Sequence, residues 1–214
     1  AYGHTPCQIA EAEGHTHVAE YLRAWDPHAD LLHTAAARGQ ANVIDYLLDH
    51  GAEIDDVSGF GWTPLHLAVL NNHYTATALL LARGAATDIP DYDGFLPLVD
   101  AIKLAYTDVA KALISAMPSV DIVDCHGSTP LHYAIRFYRP LAFKALLRKA
   151  TRLDIPNANG RTPRQLAVDT YRTEFVHAID LRAAQLRPTL RERLGSLINR
   201  IRPKRDDGAP PSSS

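Results

Sequence analysis

Thr63-Pro64-Leu65-His66 returns as Thr129-Pro130-Leu131-His132, two steps of 33 residues further along. Midway lies Leu96-Pro97-Leu98-Val99, a worn copy, and 33 residues beyond Thr129 lies Thr162-Pro163-Arg164-Gln165. Upstream, Leu32-His33 sits at the same offset. Thr5-Pro6-Cys7-Gln8 is a further copy, only 25 residues ahead of its successor at Asp30. Other columns keep the period. Gly61, Gly94, Gly127 and Gly160 form one, and Asp55, Asp88, Asp121 and Asp154 another. Leu47, Leu80, Leu113 and Leu146 form an apolar column, extended by Leu22 in the first copy and Ile179 in the last. A single repeated tetrapeptide is weak evidence, but several columns in register over five or six copies define an array.

Each column has a physical role. Thr63 is suited to cap a helix, its hydroxyl accepting an orphan backbone N–H, and Pro64 then occupies the first helical position, where a missing N–H costs little. Leu65 and Ala68 are expected to point inward. Gly39 and Asn72 follow the first helix of their repeats, where a left-handed residue turns the chain. The second helices read as amphipathic, with Val43, Ile44, Leu47 and Leu48 on one stripe. One helix pair cannot bury both of its faces, whereas stacked neighbours can, which predicts a quasi-one-dimensional fold.

These residues resemble the ankyrin repeat, a 33-residue unit with a T-P-L-H-x-A signature, over about residues 2–181. The resemblance implies an all-α solenoid, each repeat a hairpin-like turn followed by two antiparallel helices. The expected division is a partial repeat over residues 1–25, the array over 26–185, a basic amphipathic helix over 186–203 and a disordered tail over 204–214. Asp26-Pro27 marks a break between the first copy and the rest, and the two parts are expected to stack. Ala105, Tyr138 and Tyr171 replace the inter-helix glycine, so altered turns are expected in the later repeats. Pro140 is expected to reset the start of a helix.

Composition narrows the function. The 214 residues are 46% hydrophobic and 21% charged, with a formal net charge of −2. Wholesale disorder is excluded, and nucleic acid is not an expected partner. No apolar run approaches the ~20 residues of a membrane span. Cys7 and Cys125 are far apart and build no disulfide framework, so an intracellular compartment is the natural reading. The first residue is Ala1 and the only methionine is Met117, so a segment of a longer polypeptide is expected.

No phosphate-binding loop, nucleophile elbow or H-E-x-x-H appears, and nothing sets a nucleophile beside a base. Asp55-Asp56 is better explained by a solvated turn than by acid–base work. Eleven histidines invite a metal. However, His33, His66 and His132 fall in the repeat column, where the ring is expected to bond loop backbone, and no closed set of three or four ligands is visible. No cofactor and no catalytic residue are expected.

The resemblance leaves the turn tips and first helices free to bind a protein partner. The residues so placed are Phe60, Trp62 and Asn71; Tyr92, Asp93, Phe95 and Lys103; His126, Ser128, Arg136 and Phe137; and Arg161. Phe60 and Tyr92 favour partner contact. Trp62 and Phe95 have two readings, partner contact or packing against the neighbouring tip. Lys103 and Arg136 would suit an acidic partner, or are simply solvated charge.

The tail is different. From Arg182 to Arg205 there are eight basic residues and one acid, Glu192. Thr189 and Glu192 form a capping box, and Leu190, Leu194, Leu197, Ile198 and Ile201 share a helical stripe. This segment could cap the last repeat, enter a partner's groove, or lie through Arg187–Arg205 on an anionic membrane. The leading expectation is a monomeric, non-enzymatic protein–protein interaction scaffold. An adaptor with a docking tail and the recruiting arm of a larger enzyme are the alternatives.

Overall fold

A computed structural model describes residues 6–23 and 31–186. The expectations for the segment beyond Leu186, for Thr5 and for the break at Asp26-Pro27 lie outside the described residues. Among the described residues there are twelve helices and no strand, arranged as six pairs. The pairs are α1 Pro6–Ala12 with α2 Thr16–Arg23, α3 Leu31–Ala37 with α4 Ala41–Asp49, and α5 Pro64–Leu70 with α6 Tyr74–Ala82. They continue as α7 Pro97–Lys103 with α8 Thr107–Ala116, α9 Pro130–Arg136 with α10 Pro140–Lys149, and α11 Pro163–Asp169 with α12 Thr173–Leu186.

The helices layer in chain order. From α3 onward each first helix packs on the next first helix, and from α4 onward each second helix on the next second helix. Leu65, Leu98 and Leu131 are buried between layers, as are Leu80, Leu113, Leu146 and Ile179. Each such side chain contributes roughly 1.5–3 kcal/mol by leaving water. The first pair joins this stack where α2 meets α4. There His50 Nε2 lies 3.3 Å from Glu13 Oε2, and the His15 ring meets Tyr46 edge-on at 5.3 Å.

The first helices start as their caps dictate. Thr63 Oγ1 accepts from His66 N–H at 3.3 Å, and Thr63 N–H donates to His66 Nδ1 at 3.2 Å. Thr129 with His132, and Thr162 with Gln165, form the same reciprocal box. Leu96 has no side-chain oxygen, and the worn copy lacks this cap. The histidines also tie the layers together. Nε2 of His33, His66 and His132 donates to the carbonyls of Trp62, Phe95 and Arg161, at 2.8, 3.4 and 2.9 Å. Each ring of His66 and His132 therefore accepts at Nδ1, donates at Nε2 and is neutral.

Burial pushes His66 and His132 below the ordinary imidazole value of 6.5, against a smaller upward pull from the carbonyl bonds and nearby aspartates. Above pH 6.5 neither the folded nor the unfolded form binds these protons. Below it the unfolded chain takes up protons that the folded one refuses, so stability falls with acid by up to about 1.4 kcal/mol per pH unit for each ring. Urea midpoints measured from pH 7 to pH 5 should fall, and the His66→Gln/His132→Gln variant should fall less steeply. Gln165 shows that glutamine preserves the capping box. His50, raised first by the Tyr46 carbonyl, works in the opposite sense and is common to both proteins. Equal slopes in the two proteins would contradict the assignment.

The expectation of altered inter-helix turns is corrected. Asn72, Ala105, Tyr138 and Tyr171 take φ of 57°, 64°, 50° and 58°, the left-handed conformation of Gly39 at 69°. The geometry is held by the next residue, whose N–H reaches back into the first helix. His73 bonds Ala68 O at 2.8 Å, Tyr106 bonds Ala101 O at 2.9 Å, and Arg139 bonds Ala134 O at 2.8 Å. Stacking therefore overrides the local preference, at about 1–2 kcal/mol per residue. Ala105→Gly removes that strain and gives back about 0.5–1 kcal/mol in chain entropy. It should raise the unfolding free energy by up to ~1 kcal/mol, and a loss of stability would contradict this. Pro140 does open α10, at its first position.

The last described repeat departs from these apolar columns. Arg164 stands in the column of Leu65, Leu98 and Leu131, and Asp180 in that of Leu81, Ile114 and Leu147. The two form a bidentate pair, Nε to Oδ1 at 2.6 Å and a terminal nitrogen to Oδ2 at 2.9 Å. Among the described residues two apolar columns thus give way to a solvated ion pair. Val168 pairs in register with the buried Val69, Ile102 and Ile135 but is 48% exposed.

Candidate partner-binding face

The loop before each first helix folds into the same tight tip. Ser58, Asp91, Asp124 and Asn157 begin the four tips, each with a side-chain oxygen turned back onto the loop's own N–H groups. Asp124 Oδ1 accepts from His126 and Ser128 at 2.9 and 2.8 Å, and Asn157 Oδ1 accepts from Asn159 and Arg161 at 3.0 and 3.0 Å. Asp91 Oδ1 accepts from Phe95 N–H at 2.8 Å. Across each tip a backbone N–H closes the turn: Ser58 to Trp62 O at 2.9 Å, Asp91 to Phe95 O at 2.9 Å, and Asp124 to Ser128 O at 3.1 Å.

Neighbouring tips are bonded to one another. Tyr92 N–H donates to Phe60 O at 3.4 Å, Cys125 Sγ donates to Asp93 O at 3.3 Å, and Ala158 N–H donates to His126 O at 2.9 Å. Gly61 serves this edge twice. Its φ is 78°, and a Cβ there would lie 2.5 Å from the Tyr92 ring. The tips thus form a preorganised edge rather than independent loops.

On this edge Phe60 is 67% exposed and Tyr92 75% exposed. Trp62 is half-buried, its ring 5.0 Å from that of Phe60. Phe95 is turned inward. It meets Tyr133 edge-on at 6.2 Å and His126 at 5.7 Å, and Lys103 Nζ lies 3.9 Å above its ring. Tyr133 in turn stacks on Phe137 at 6.4 Å. The named aromatics therefore fall into two groups, an open one at Phe60, Trp62 and Tyr92, and a packed one around Phe95.

The polar residues divide in the same way. Lys103 is held by Asp100 at 3.3 Å as well as by the Phe95 ring. Arg161 pairs with Asp169 at 3.1 Å. Asn71 donates from Nδ2 to Leu67 O at 2.9 Å, finishing α5. The Ser128 backbone belongs to the Asp124 turn. Asp93 and His126 are exposed at their tips, and Arg136 is exposed on α9.

Sequence reasoning missed three residues here. Tyr133 donates its hydroxyl to Asp124 Oδ2, and burial, then that hydrogen bond, holds the phenol protonated far above its ordinary range. Asp100 is buried beside Lys103, and burial raises its carboxyl despite the ammonium. The available signal was a polar residue in the Leu67 column, at Asp100 and Tyr133.

The tip loops 51–63, 84–96 and 117–129 together carry eight acids and no lysine or arginine. No helix of the described residues is long and apolar enough to cross a membrane. In a comparison with characterised proteins, the chain is 52% identical over 44 residues to an ARF GTPase-activating protein, Git, of Drosophila melanogaster. That match covers 21% of this chain and only 6% of the relative. The family model described as ankyrin repeats in three copies matches residues 32–124 and 99–180. With its stacked helix pairs, its capped Thr-Pro starts and most of its length under that match, the chain belongs to the ankyrin-repeat family.

Proposed function

We propose that this chain is a non-enzymatic recognition scaffold, which binds a protein partner through the tips and first helices of its central repeats. Ankyrin repeats are protein–protein interaction modules, and that much belongs to the family. The single observation that carries the finer reading is the pair of rings at Phe60 and Tyr92. Both are largely in water, yet both stand on tips whose backbones are bonded to each other. A preformed apolar patch loses little entropy on binding. Exposed aromatics of this kind supply most of the affinity at interfaces.

The partner's chemistry follows from the surroundings. Eight acids and no lysine or arginine line the three central tips. Lys103, on α7, is engaged by Asp100 and Phe95. The face therefore suits a partner with apolar and positively charged side chains rather than an acidic one. Its arginines or lysines would also find the ring faces favourable. Capture of binding proteins by the wild-type chain and by a folded Phe60→Ala/Tyr92→Ala variant tests this reading. Undiminished capture by the variant removes this face as the site.

A further inference from the structure

One column lies at or near the end of every second helix from α4 onward: His50, Arg83, Ala116, Lys149 and Arg182. Four of the five are basic, and each reaches back to the preceding repeat. His50 meets Glu13, and Arg83 meets Asp45 at 2.8 Å and also Asp49. Lys149 Nζ donates to the carbonyls of Ile114 at 2.6 Å and Ser115 at 3.2 Å, and to that of Met117, at the end of α8. Arg182 donates to the carbonyls of Arg148 at 3.0 Å and Ala150 at 3.4 Å, at the end of α10. The C-terminal end of a helix carries partial negative charge, so a cation belongs there. Ala116 supplies none.

A second clasp is missing at the same junction. Asp55 accepts from Ala86 N–H at 2.9 Å, and Asp121 accepts from Thr151 and Arg152 N–H at 2.9 and 3.0 Å. The same register sets Asp88 against Pro118, which has no N–H, and Ser119. Among the described residues Asp88 has no hydrogen-bond or ion-pair partner. Between these two gaps lies a cavity of about 470 Å³, its walls including Leu81, Gly84, Asp88, Ala116 and Met117. The fold thus leaves an open notch, an unpaired carboxylate and the end of α6, where two other junctions seat an ammonium or a guanidinium.

We propose that this notch receives one lysine or arginine side chain of a bound protein partner. The carbonyls of Leu81, Ala82 and Gly84 stand in the sequence register of those that hold Lys149, that of Leu81 also accepting from Gly84 N–H at 3.2 Å, and Asp88 supplies the countercharge. The site is separate from the aromatic tips, and none of Phe60, Trp62, Tyr92 and Phe95 lines it.

The test uses the full 214-residue chain, labelled with ¹⁵N, and the peptide acetyl-Gly-Arg-Gly-amide. The same peptide with neutral citrulline in place of arginine is the control. The arginine peptide should give saturable amide shifts centred on Gly84, Asp88, Ala116 and Ser119, and bind about five-fold more tightly than the citrulline peptide. Asp88→Asn should weaken it about three-fold without reshaping the wall. Ala116→Lys should abolish the response and raise the thermal midpoint, because it supplies the missing member of the column. Equal responses to the two peptides, shifts centred on the acidic tips, or an undiminished response from Ala116→Lys would overturn the proposal.

Discussion

Leu113→Ala should lower the unfolding free energy by about 3–4 kcal/mol, within the range measured for removing a buried leucine side chain. Leu113 is fully buried, in register with Leu80 and Leu146, at the middle of the column. Its side chain is shared between layers, because α8 packs on both α6 and α10. A cavity there weakens two junctions together. In a solenoid each repeat is stabilised by its neighbours alone, so the loss is not spread over a common core. A domain of this size has roughly 5–15 kcal/mol in total, so the variant loses a large share. Urea unfolding followed by far-UV circular dichroism measures it. The midpoint should drop sharply, and the slope should shrink as the array divides into two weaker blocks. A loss under about 1 kcal/mol would mean that Leu113 is not shared between layers.

Phe60→Ala combined with Tyr92→Ala should cost the complex about a hundred-fold or more in affinity. Truncating an exposed aromatic anchor costs ~2 kcal/mol or more at an interface, and 1.4 kcal/mol is tenfold. The two effects share one patch and need not add. Folding should hardly notice, since both rings are mostly in water and surface substitutions usually stay within ±0.5 kcal/mol. Tyr92 has the larger structural role, because its ring covers Gly61. Titration calorimetry with the captured partner gives the affinity, and a thermal scan confirms that the variant is folded. Tyr171→Ala, at a turn and 90% exposed, is the control for losing any aromatic. If Tyr171→Ala weakened binding as much, the patch at the tips would have no special role.

The stack was legible because its signals are periodic. Thr63, Thr129 and Thr162, each followed by proline, mark helix starts by chemistry that acts within four residues. The leucine columns mark the buried face. What could not be read was the outcome of competition between local and tertiary preferences. Ala105, Tyr138 and Tyr171 have no local reason to adopt a left-handed backbone, and do so because the stack fixes both helices they join. The aromatic column showed the same limit. Trp62 and Phe95 occupy equivalent positions, but Phe95 is drawn inward by Tyr133 and Lys103, whereas the same registers give Trp62 an aspartate, Asp100, in place of Tyr133 and Leu70 in place of Lys103. Arg161 is engaged by Asp169, one full first helix away along its own repeat. Turn chemistry at Asp91 and Asp124 was legible in principle, since aspartate commonly starts such tips, but the longer reach from Asp124 to Tyr133 was not.

Hydroxyl-radical footprinting of the free chain and of its saturated partner complex tests the central claim most directly. In the free chain Phe60, Tyr92 and Tyr171 should all oxidise readily, as their exposure of 67%, 75% and 90% requires. In the complex Phe60 and Tyr92 should be protected while Tyr171 stays reactive. Oxidation of Phe60 and Tyr92 at undiminished rates in the saturated complex would show that the partner sits elsewhere on the solenoid.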